Sequence, residues 1–542
     1  MRKIVVVFQF NNGRQKIVET QKGKKLTSLL EEQDIYKTFP CGGMGHCGHC
    51  RVRFYSGETP VTDSDRRYIT GEELEEGYRL ACRVILKEDC VIELTDESDP
   101  EQEEMDIVTT EIEDEDIHEF DPSGVYGIGL DIGTTTLAAA LVRLRDGEYE
   151  VIAQSSGINH QRKYGADVIS RIQSAIDGKE KEMRDIILKD IQSLFSDLII
   201  KAASGTADVA DRIKIVTIAG NTTMLHILMG YPCDGLGKFP YMPHDLELVS
   251  SMACFTLPGV TAIKEQTRVV VLPGISAFIG ADIVSGIYAL GFDETMPGEY
   301  RFMLDLGTNG EMAVGNRNHL YVASTAAGPV FEGGTISRGC PSVSGAICHV
   351  RIAGGNPQVE TIGDERPVGI CGTGVLETVS ELRDAGLIDK TGLMREDIFE
   401  KGYCLARDNY GKSLYFTQAD VRQVQLAKAA IKAGVDMLLA ESGITAAQNV
   451  DKISKIYVAG GFGYRIKRES LYALNMLPDY FIDKMESPGN TSLLGTLKYM
   501  AKEFEEKGSA DECLDILIRA AKEVELATTD SFGGAYYDAI NF

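Results

Sequence analysis

Four cysteines near the N-terminus have the spacing of ligands to an iron–sulfur cluster. They are Cys41, Cys47, Cys50 and Cys82, which gives C-x5-C-x2-C with a fourth cysteine 32 positions further on. A cluster needs thiolates that converge from several directions, and the glycines between Cys41 and Cys50 accept the backbone angles of a loop that curls around one centre. A structural zinc site is the alternative, but such sites commonly pair two Cys-x2-Cys knuckles, and Cys82 stands alone.

The motif Asp-x-Gly-Thr occurs twice, beginning at Asp131 and at Asp305, each time at the end of an apolar run. A magnesium–triphosphate complex needs carboxylates for the hydrated metal, and backbone N–H groups with hydroxyls for the phosphates. We therefore predict that both aspartates bind Mg²⁺ through water. The predicted phosphate-binding residues are Gly133, Thr134, Thr135, Thr136, Gly307 and Thr308. One copy alone would equally fit a turn at a strand end, whereas two copies in the same context indicate a nucleotide clamp.

Further residues near these motifs have side chains or backbones suited to a nucleotide. Asn309 and Glu311 could orient water or Mg²⁺, with hydrogen bonding inside the second lobe as the alternative. Asn221 and Thr222 follow a strand and could contact the nucleotide, although asparagine is also a favoured helix N-cap. Gly460 and Gly461 follow another strand and would let adenine or ribose approach the backbone closely.

Several other reactive residue types have simpler interpretations. Glu332 lies in a Gly-rich stretch and is predicted near phosphate or a partner. His226 is interpreted as a helix residue rather than a base. Cys340, Cys348 and Cys371 show no tight spacing, so a second cluster is not predicted and they are interpreted as buried small residues.

The elements that must position these residues form four segments. Residues 1–95 have β-rich patterning and contain the four clustered cysteines. Residues 96–124 form an acidic linker, since 14 of the 26 residues from Asp96 to Asp121 are Asp or Glu and none is Lys or Arg; such a run extends by self-repulsion. Strands and helices then alternate through 125–299, the first lobe of the predicted nucleotide clamp, and through 300–542, a second lobe whose C-terminal end returns toward the first. The predicted fold class is α/β.

Composition limits the partners. The chain has 542 residues, a formal net charge of −26 and a pI of about 4.8. Such a surface repels nucleic acid and anionic lipid, so neither is an expected partner. No apolar run reaches the ~18 residues of a membrane span, and no signal peptide is evident. Four of the twelve cysteines crowd into one pattern, which favours a reducing compartment, and we expect the cytoplasm.

Two partial resemblances follow from these residues. The cysteine loop, with Arg79-Leu-Ala-Cys82, resembles [2Fe–2S] ferredoxins of the plant and adrenodoxin types, which implies a β-grasp fold for residues 1–95. The motifs at Asp131, Asp305 and Gly460, in that order, resemble the acetate kinase, sugar kinase, Hsp70 and actin superfamily. That resemblance implies two RNase H-like lobes that close over ATP.

A narrower resemblance covers most of the chain. Its motifs are 159–171, Gly220-Asn-Thr-Thr-Met-Leu-His226, 304–311, 326–334, Gly369-Ile-Cys-Gly-Thr-Gly374 and 459–463. Together they resemble reductive activators of corrinoid proteins. The resemblance implies that the chain uses ATP, Mg²⁺ and a [2Fe–2S] cluster to return a corrinoid protein of a methyltransferase system from Co(II) to Co(I). A low-potential electron donor is also implied.

One departure from that family is expected. Longer members carry a middle domain between linker and ATPase that contributes to dimerisation. Here Asp121 and the strand at Tyr126 almost adjoin, which predicts the shorter type without that domain, linked to systems such as O-demethylases. The alternative functions are ATP-dependent activation of another low-potential enzyme, or a small-molecule kinase with an appended ferredoxin domain.

Overall fold

The structure is a computed structural model that describes residues 3–10, 15–33, 35, 45, 48, 50–57, 59–94, 117–165, 167–202, 209–407, 411, 413–444, 448–460, 466–526 and 529–542. The chain divides into two compact units. One contains Met1–Met105 and Ile158–Ile187, and the other contains Asp106–Gly157 and Leu188–Phe542. Most of the predicted acidic linker, residues 96–116, lies outside the described residues. Within the described ranges, no helix is long and apolar enough to cross a membrane.

A five-stranded sheet forms the N-terminal part of the first unit. Its strands are β1 (Lys3–Gln9), β2 (Gln15–Gln21), β3 (Arg51–Ser56), β4 (Tyr78–Leu80) and β5 (Cys90–Leu94), in the spatial order β2-β1-β5-β3-β4. β1 and β5 pair in parallel, whereas the pairs β1–β2, β3–β4 and β3–β5 are antiparallel. Every second residue of β1 is buried, and helix α1 (Leu26–Glu32) adds Leu26, Leu29 and Leu30 to the same core. This mixed sheet with its covering helix confirms the predicted β-grasp fold.

Two short helices fix the approach to β4. Helices α2 (Asp63–Tyr68) and α3 (Gly71–Glu75) each begin with a capping box, in which the N-cap threonine and the third helical residue satisfy each other's backbone N–H groups. The buried Asp65 of the first box also accepts the N–H of Leu80 at 2.8 Å. Asp65 therefore holds the end of β4, two residues before Cys82.

The first lobe of the second unit is built on a six-stranded sheet. Its strands are β6 (Val125–Ile132), β7 (Thr136–Arg145), β8 (Glu148–Ile158), β9 (Ile213–Gly220), β10 (Val249–Met252) and β11 (Arg268–Val271), in the order β10-β11-β9-β6-β7-β8. β6 is antiparallel to β7 but parallel to β9, and β9 is parallel to β11. A nearly continuous buried run along β6 is expected of a central strand covered on both faces. This sheet agrees with the predicted RNase H-like lobe.

The second lobe repeats that design. Its further strands are β12 (Tyr300–Leu306), β13 (Gly310–Gly315), β14 (Leu320–Thr325), β15 (Ala346–Ala353), β16 (Asn356–Thr361), β17 (Gly369–Ile370), β18 (Tyr403–Arg407), β19 (Ser413–Phe416), β20 (Ile453–Ala459), β21 (Met485–Glu486) and β22 (Ala521–Glu523). The main sheet has the order β21-β20-β12-β13-β14-β22, with β12 antiparallel to β13 and parallel to β20. Small sheets are formed by β16-β15-β17 and by β18-β19. The repeat confirms the prediction of two RNase H-like lobes.

Helices follow the strands along the chain. Between β8 and β12 they are α4 (Val168–Ser174), which belongs to the first unit, α5 (Glu180–Ala202), which begins in the first unit and ends in the second, and α6 (Val209–Arg212), α7 (Thr222–Met229), α8 (Ala253–Thr256) and α9 (Ala281–Ala289) of the second unit. Later in the chain they are α10 (Gly372–Asp384), α11 (Glu396–Phe399), α12 (Gln418–Glu441), α13 (Arg468–Ala473), α14 (Thr491–Glu505), α15 (Ser509–Ala520) and α16 (Asp530–Asp538). Helix α14 returns to the first sheet, where a Cβ at Gly129 of β6 would lie only 2.4 Å from Thr496 Oγ1. Glycine at this position lets the helix pack directly on the strand.

Candidate active site

Two equivalent hairpins deliver Asp131 and Asp305. Each aspartate lies near the end of the first strand of its sheet, and the parallel neighbour of that strand brings a glycine to the same edge. Asp131 pairs with Ala219 of β9, one residue before Gly220, and Asp305 pairs with Ala459 of β20, one residue before Gly460. The two halves of the predicted clamp are therefore built alike.

The Asp131 carboxylate is oriented by the start of α14. Asn490 Nδ2 donates to one carboxylate oxygen at 2.8 Å, and Ser492 Oγ donates to the other at 2.7 Å. Asn490 is also the N-cap of the helix, since its Oδ1 accepts the N–H of Leu493 at 2.9 Å. One asparagine thus caps the helix and fixes the carboxylate, which leaves Asp131 little freedom to turn away from the cavity.

The Asp305 hairpin carries a second acid directly opposite. Glu311 of β13 pairs with Asp305 of β12, whereas the residue opposite Asp131 in the first lobe is Ala138. Ser324 Oγ donates to Glu311 at 3.2 Å. Burial raises the pKa of Glu311 well above its usual range, the negative charges of Asp282 and Asp305 add to that rise, and contacts with Asn309 and Ser324 offset part of it.

A fourth carboxylate joins the two hairpins. Thr135 Oγ1 donates to Glu332 Oε2, and Thr308 Oγ1 donates to Glu332 Oε1 at 3.0 Å. Glu332 ends a short turn, Pro329–Glu332, that follows β14. The Glu332 carboxylate therefore binds two of the four threonine hydroxyls that were predicted to bind phosphate.

Of the two roles weighed for Asn221, the structure shows the helix N-cap, and contact with the nucleotide stays a prediction. Its Oδ1 accepts the N–H of Met224 at 3.0 Å, so it is the N-cap of α7. Its Nδ2 donates to Thr134 Oγ1 at 2.9 Å, which ties the end of β9 to the first hairpin. Nearby, a Cβ at Gly280 would lie 2.6 Å from the N of Thr222. This close approach brings the first turn of α9, with Asp282, to the same place.

Glycine is required where the second lobe closes around the cavity. Gly460 has φ +111°, and a Cβ there would lie 2.2 Å from the Leu306 carbonyl oxygen. A Cβ at Gly372, the first residue of α10, would lie 1.7 Å from the Phe331 carbonyl oxygen. Both backbones reach their neighbours only because no side chain intervenes.

All these groups line one cleft, which holds about 1060 Å³ including its open mouth. The predicted residues that line it are Asp131, Gly133, Thr134, Thr135, Thr136, Asn221, Asp305, Gly307, Thr308, Asn309, Glu311, Glu332 and Gly460. Gly461 lies outside the described residues. The cleft thus collects the described residues that the sequence assigned to nucleotide or Mg²⁺ except Thr222, whose hydroxyl donates to the Ser276 carbonyl at 2.7 Å. The individual roles stay predictions.

Several residues of the cleft were not predicted from the sequence. They are Asp282, Leu306, Phe331, Pro341, Ser342, Gly372, Asn490 and Ser492. Asp282 follows Gly280-Ala281, and Asn490 follows Pro488-Gly489, so both positions carried a helix-start signal. That signal predicts the element but not the cavity that its first turn faces.

The carboxyl groups that line the cleft would be stabilised by a bound cation. Burial, reinforced by the charges of Asp131 and Asp305, raises the pKa of Asp282 to about 8. Burial with the charges of Asp131 and Glu332 raises the pKa of Asp305 to about 7. The described lining residues include no Lys, Arg or His to offset this repulsion. A divalent cation would do so, and the donors are the oxygens that Mg²⁺ prefers.

The carboxylates are spread rather than gathered. Across the described ranges, no three Asp, Glu, His or Cys side chains are close enough together to hold an ion directly. This spacing fits an ion that keeps much of its water and is held by one or two carboxylates plus phosphate, as Mg²⁺ commonly is. Asp131 and Asp305 remain the predicted ligands through water.

The cysteine site belongs to the first unit. Cys50 and Cys82, which are 32 positions apart, are brought together because the N–H of Ala81 donates to the Cys50 carbonyl at 2.7 Å and β3 pairs with β4. Gly45 and Gly48 have φ of +76° and +78°, and a Cβ at Gly48 would lie 2.7 Å from Tyr68 Cβ. Glycines in this conformation fit a loop that curls around a cluster. Cys41 and Cys47 lie outside the described residues.

Family models match three consecutive parts of the chain. The model described as "2Fe-2S iron-sulfur cluster binding domain" matches residues 9–87. The model described as "RACo middle region" matches 126–295, and "C-terminal domain of RACo the ASKHA domain" matches 299–542. The prediction that the chain lacks a middle domain is therefore wrong, because the model of the middle region matches residues 126–295. The segment predicted as the first ATPase lobe matches the middle region, and it folds as the six-stranded sheet of β6 to β11.

Individual relatives agree with these matches. The chain is 32% identical over 434 residues to the "Corrinoid activation enzyme RamQ" of Eubacterium limosum, covering 76% of this chain and 69% of the relative. It is 25% identical over 459 residues to the "[Co(II) methylated amine-specific corrinoid protein] reductase" of Methanosarcina barkeri, covering 77% of each. A solved structure titled "Reductive activator for corrinoid,iron-sulfur protein" matches 99% of this chain and 98% of its own, with a TM-score of 0.69 and 25% identity.

Proposed function

The chain belongs to the family of reductive activators of corrinoid proteins, and we propose that it returns an inactive Co(II) corrinoid protein to Co(I) at the expense of ATP. The reaction adds one electron to the cobalt of the substrate protein, and ATP and water give ADP and phosphate. The observation that carries the proposal is the presence on one chain of a β-grasp domain, whose Cys50 and Cys82 lie on adjacent segments, and of an acidic two-hairpin cleft.

The cleft supplies the ATP-binding groups. Thr134, Thr135 and Thr308 line the cavity and carry hydroxyls that suit phosphate oxygens, while Asp131 and Asp305 suit the water shell of Mg²⁺. Asn490 and Ser492 hold Asp131 in position before nucleotide arrives. Such preorganised groups can act without rearrangement when charge develops on the phosphates.

Lobe closure is the proposed link between ATP and electron transfer. The two hairpins belong to different sheets, so a phosphate chain that binds both of them favours the conformation in which they are close. A ligand shifts a conformational equilibrium only through its different affinity for the two states. Contacts made to both hairpins supply that difference, and hydrolysis removes it.

The electron path begins in the first unit. Cys41, Cys47, Cys50 and Cys82 would hold the [2Fe–2S] cluster, which when bound supplies electrons one at a time. The chain's own part is to keep Cys50 and Cys82 adjacent through the β3–β4 pairing. We further propose a low-potential protein or small-molecule donor, and a corrinoid protein of a methyltransferase system as substrate.

The remaining partner assignments rest on charge and cysteine pattern. A net charge of −26 disfavours nucleic acid and anionic membranes as partners. Cysteine ligands of an iron–sulfur cluster suit a reducing compartment, and we propose the cytoplasm.

Visible spectroscopy tests the proposal. The purified chain, a strong reductant and a Co(II) corrinoid protein are mixed without oxygen, and the Co(I) band is followed with and without MgATP. We expect the band only with MgATP. Absence of ATP-dependent Co(I) formation with every methyltransferase corrinoid protein tried would overturn the proposal. Asp305→Ala is expected to abolish the response to ATP, and Cys47→Ser to remove the cluster while nucleotide binding persists.

A further inference from the structure

Three cysteines of the second lobe lie side by side in one row. Gly339 and Ile370 form a parallel bridge, and Ile370 is also the parallel partner of Ile347. The next residue on each segment is a cysteine: Cys340, Cys371 and Cys348. Backbone hydrogen bonds support this register, since the N–H of Cys340 donates to the Ile370 carbonyl at 3.0 Å and that of Cys371 donates to the Ile347 carbonyl at 3.1 Å.

The three side chains share one face of this small sheet. Successive side chains of a strand point to opposite faces. Ile347 and Ile370 belong to the main core of the second lobe, whereas Cys348 and Cys371 form a separate buried cluster against which Cys340 packs. Neighbouring strands lie about 4.8 Å apart, and disulfides span Cα separations of roughly 4.4–6.8 Å. Cys371 is therefore within reach of the cysteine on either side.

The three thiols differ in accessibility. Cys348 and Cys371 are buried, with 3% and 1% of their surfaces exposed, whereas Cys340 is partly exposed. Burial raises the pKa of the Cys371 thiol, and the N–H groups of Gly374 and Thr373 in the first turn of α10 offset part of that rise. Cys340 is the one of the three with exposed surface, so an oxidant would reach it first, but burial raises the pKa of its thiol and slows that reaction. Cys371 is the neighbour whose thiolate has helix N–H groups to stabilise it.

The row adjoins the nucleotide cleft. Pro341 and Ser342, which follow Cys340, and Gly372, which follows Cys371, all line the cleft. The Ser342 side chain also interacts with the Cys371 thiol. Gly372 packs so closely on the Phe331 carbonyl that no Cβ fits between them. The residue after Phe331 is Glu332, which lines the cleft. A displacement at Cys340 or Cys371 must therefore move the wall of the cleft.

We propose that Cys340 and Cys371 form a reversible disulfide on exposure to a peroxide, and that this bond closes the ATP site. The peroxide takes two electrons from Cys340 Sγ, which becomes a sulfenic acid as one water leaves. Cys371 Sγ then attacks that sulfur, the S–S bond forms and the hydroxyl leaves as a second water. In sum, two thiols and one hydrogen peroxide give a disulfide and two waters.

Geometry explains why the bond alters the site. Disulfides bring Cβ atoms to about 3.8 Å, closer than the strand spacing of about 4.8 Å. The bond therefore pulls Ser342 and Gly372 toward each other across the cleft wall. This inference concerns the nucleotide site and does not depend on the identity of the electron acceptor. A chain that stops binding ATP under oxidising conditions would not hydrolyse ATP to form Co(I) that the same oxidant would convert back.

The experiment follows nucleotide binding, which separates the disulfide from damage to the cluster. The anaerobic holoprotein is treated with hydrogen peroxide, and MgATP affinity is measured by calorimetry before and after a thiol reductant. Peptide mass spectrometry locates the cross-link. We expect a Cys340–Cys371 cross-link and at least about a tenfold loss of affinity, which is the factor given by 1.4 kcal/mol, with recovery after reduction.

Matched variants complete the test. Cys340→Ala and Cys340→Ser are expected to keep their MgATP affinity after peroxide, although their clusters meet the same oxidant. Cys404→Ala removes a partly exposed thiol of β18 outside the row and is expected to respond like the unchanged chain. Three results would each overturn the proposal: no Cys340–Cys371 cross-link, full MgATP affinity in the cross-linked protein, or equal loss of affinity in the two Cys340 variants.

Discussion

Asp305 and Glu311 lie directly opposite each other on β12 and β13, two acids in one cross-strand pair. Like charges in such a pair are destabilising. The pKa of Asp305 is raised to about 7 and that of Glu311 well above its usual range, with burial as the first cause of each. The first lobe has Ala138 at the position of Glu311. The acid pair is therefore an asymmetry of the second lobe, and a bound cation is its simplest explanation.

The acid pair makes the stability of the metal-free protein depend on pH. A carboxyl group whose folded-state pKa is raised binds its proton more tightly when folded, so stability falls as pH rises from about 4 through the folded pKa. For Asp305 and Asp282 these folded pKa values are about 7 and about 8. We expect Glu311→Gln to raise the metal-free melting temperature by a few degrees at pH 8.5 and much less at pH 5.5.

Calorimetric melting in a chelator, across pH 5.5 to 8.5, measures that difference. Mg²⁺ with ATP should stabilise the unchanged chain more at the higher pH, because the carboxylates must lose their protons to bind the ion. Parallel melting curves for the variant and the unchanged chain over the whole range would contradict the interpretation of the acid pair.

Glu332 should compete with phosphate. Its carboxylate accepts hydrogen bonds from Thr135 and Thr308, and hydrogen bonds to charged groups contribute about 1.5–3 kcal/mol each. ATP must break these contacts to reach both hydroxyls. We expect Glu332→Ala to bind MgATP as tightly as the unchanged chain or several-fold more tightly, by titration calorimetry under conditions without hydrolysis. Affinity at least about tenfold weaker in Glu332→Ala would show instead that Glu332 helps to hold the metal or the nucleotide.

Gly460 should tolerate no side chain. Its φ of +111° and the 2.2 Å approach of a Cβ to the Leu306 carbonyl oxygen demand a backbone shift in any substitution. Gly443 is a matched control, since it has φ +70° with nothing within 4 Å of a Cβ. We expect Gly443→Ala to cost about 1 kcal/mol of stability, and Gly460→Ala to cost more and to weaken MgATP binding. Equal melting temperatures and equal affinities in the two variants would contradict the assigned close approach.

A mutation that removes the cluster should leave nucleotide binding intact. Cys82 belongs to the first unit, whereas the cleft belongs entirely to the second. We expect Cys82→Ser to lose the visible absorbance of the cluster and to keep MgATP affinity within about twofold of the unchanged chain. Cys254→Ser, at a partly exposed thiol of α8, is the control that should keep both. An intact cluster spectrum in Cys82→Ser would remove that residue from the ligand set.

Local pattern was enough to predict the framework. Asp131 and Asp305 could be recognised because each lies near the end of a buried strand that is followed by Gly and hydroxyl residues. That pattern favours a tight turn that can bind phosphate. Two copies then required two similar sheets. The Cys41–Cys50 loop and Cys82 predicted the cluster in the same way, although the adjacency of Cys50 and Cys82 depends on the β3–β4 pairing.

Residues brought to the cleft by distant elements could not be predicted. Asn490 lies 359 positions after Asp131, whose carboxylate it orients, and a helix N-cap in sequence says nothing about what its side chain faces. Asp282 likewise depends on the packing of Gly280 against Thr222. The middle region was misjudged for a related reason. The prediction looked for an extra domain between the linker and the first strand of the lobe. The family models instead give the name middle region to residues 126–295, which form the sheet after the linker.

The coupling of ATP to electron transfer is tested most directly in a single turnover. The chain is reduced, freed of excess reductant and mixed with an equal amount of Co(II) corrinoid protein, and the cluster and Co(I) absorbances are recorded together. With MgATP we expect the reduced-cluster signal to fall as Co(I) appears in equal amount, and neither change in Asp305→Asn. Co(I) that forms equally fast without ATP, or in Asp305→Asn with ATP, would contradict the account.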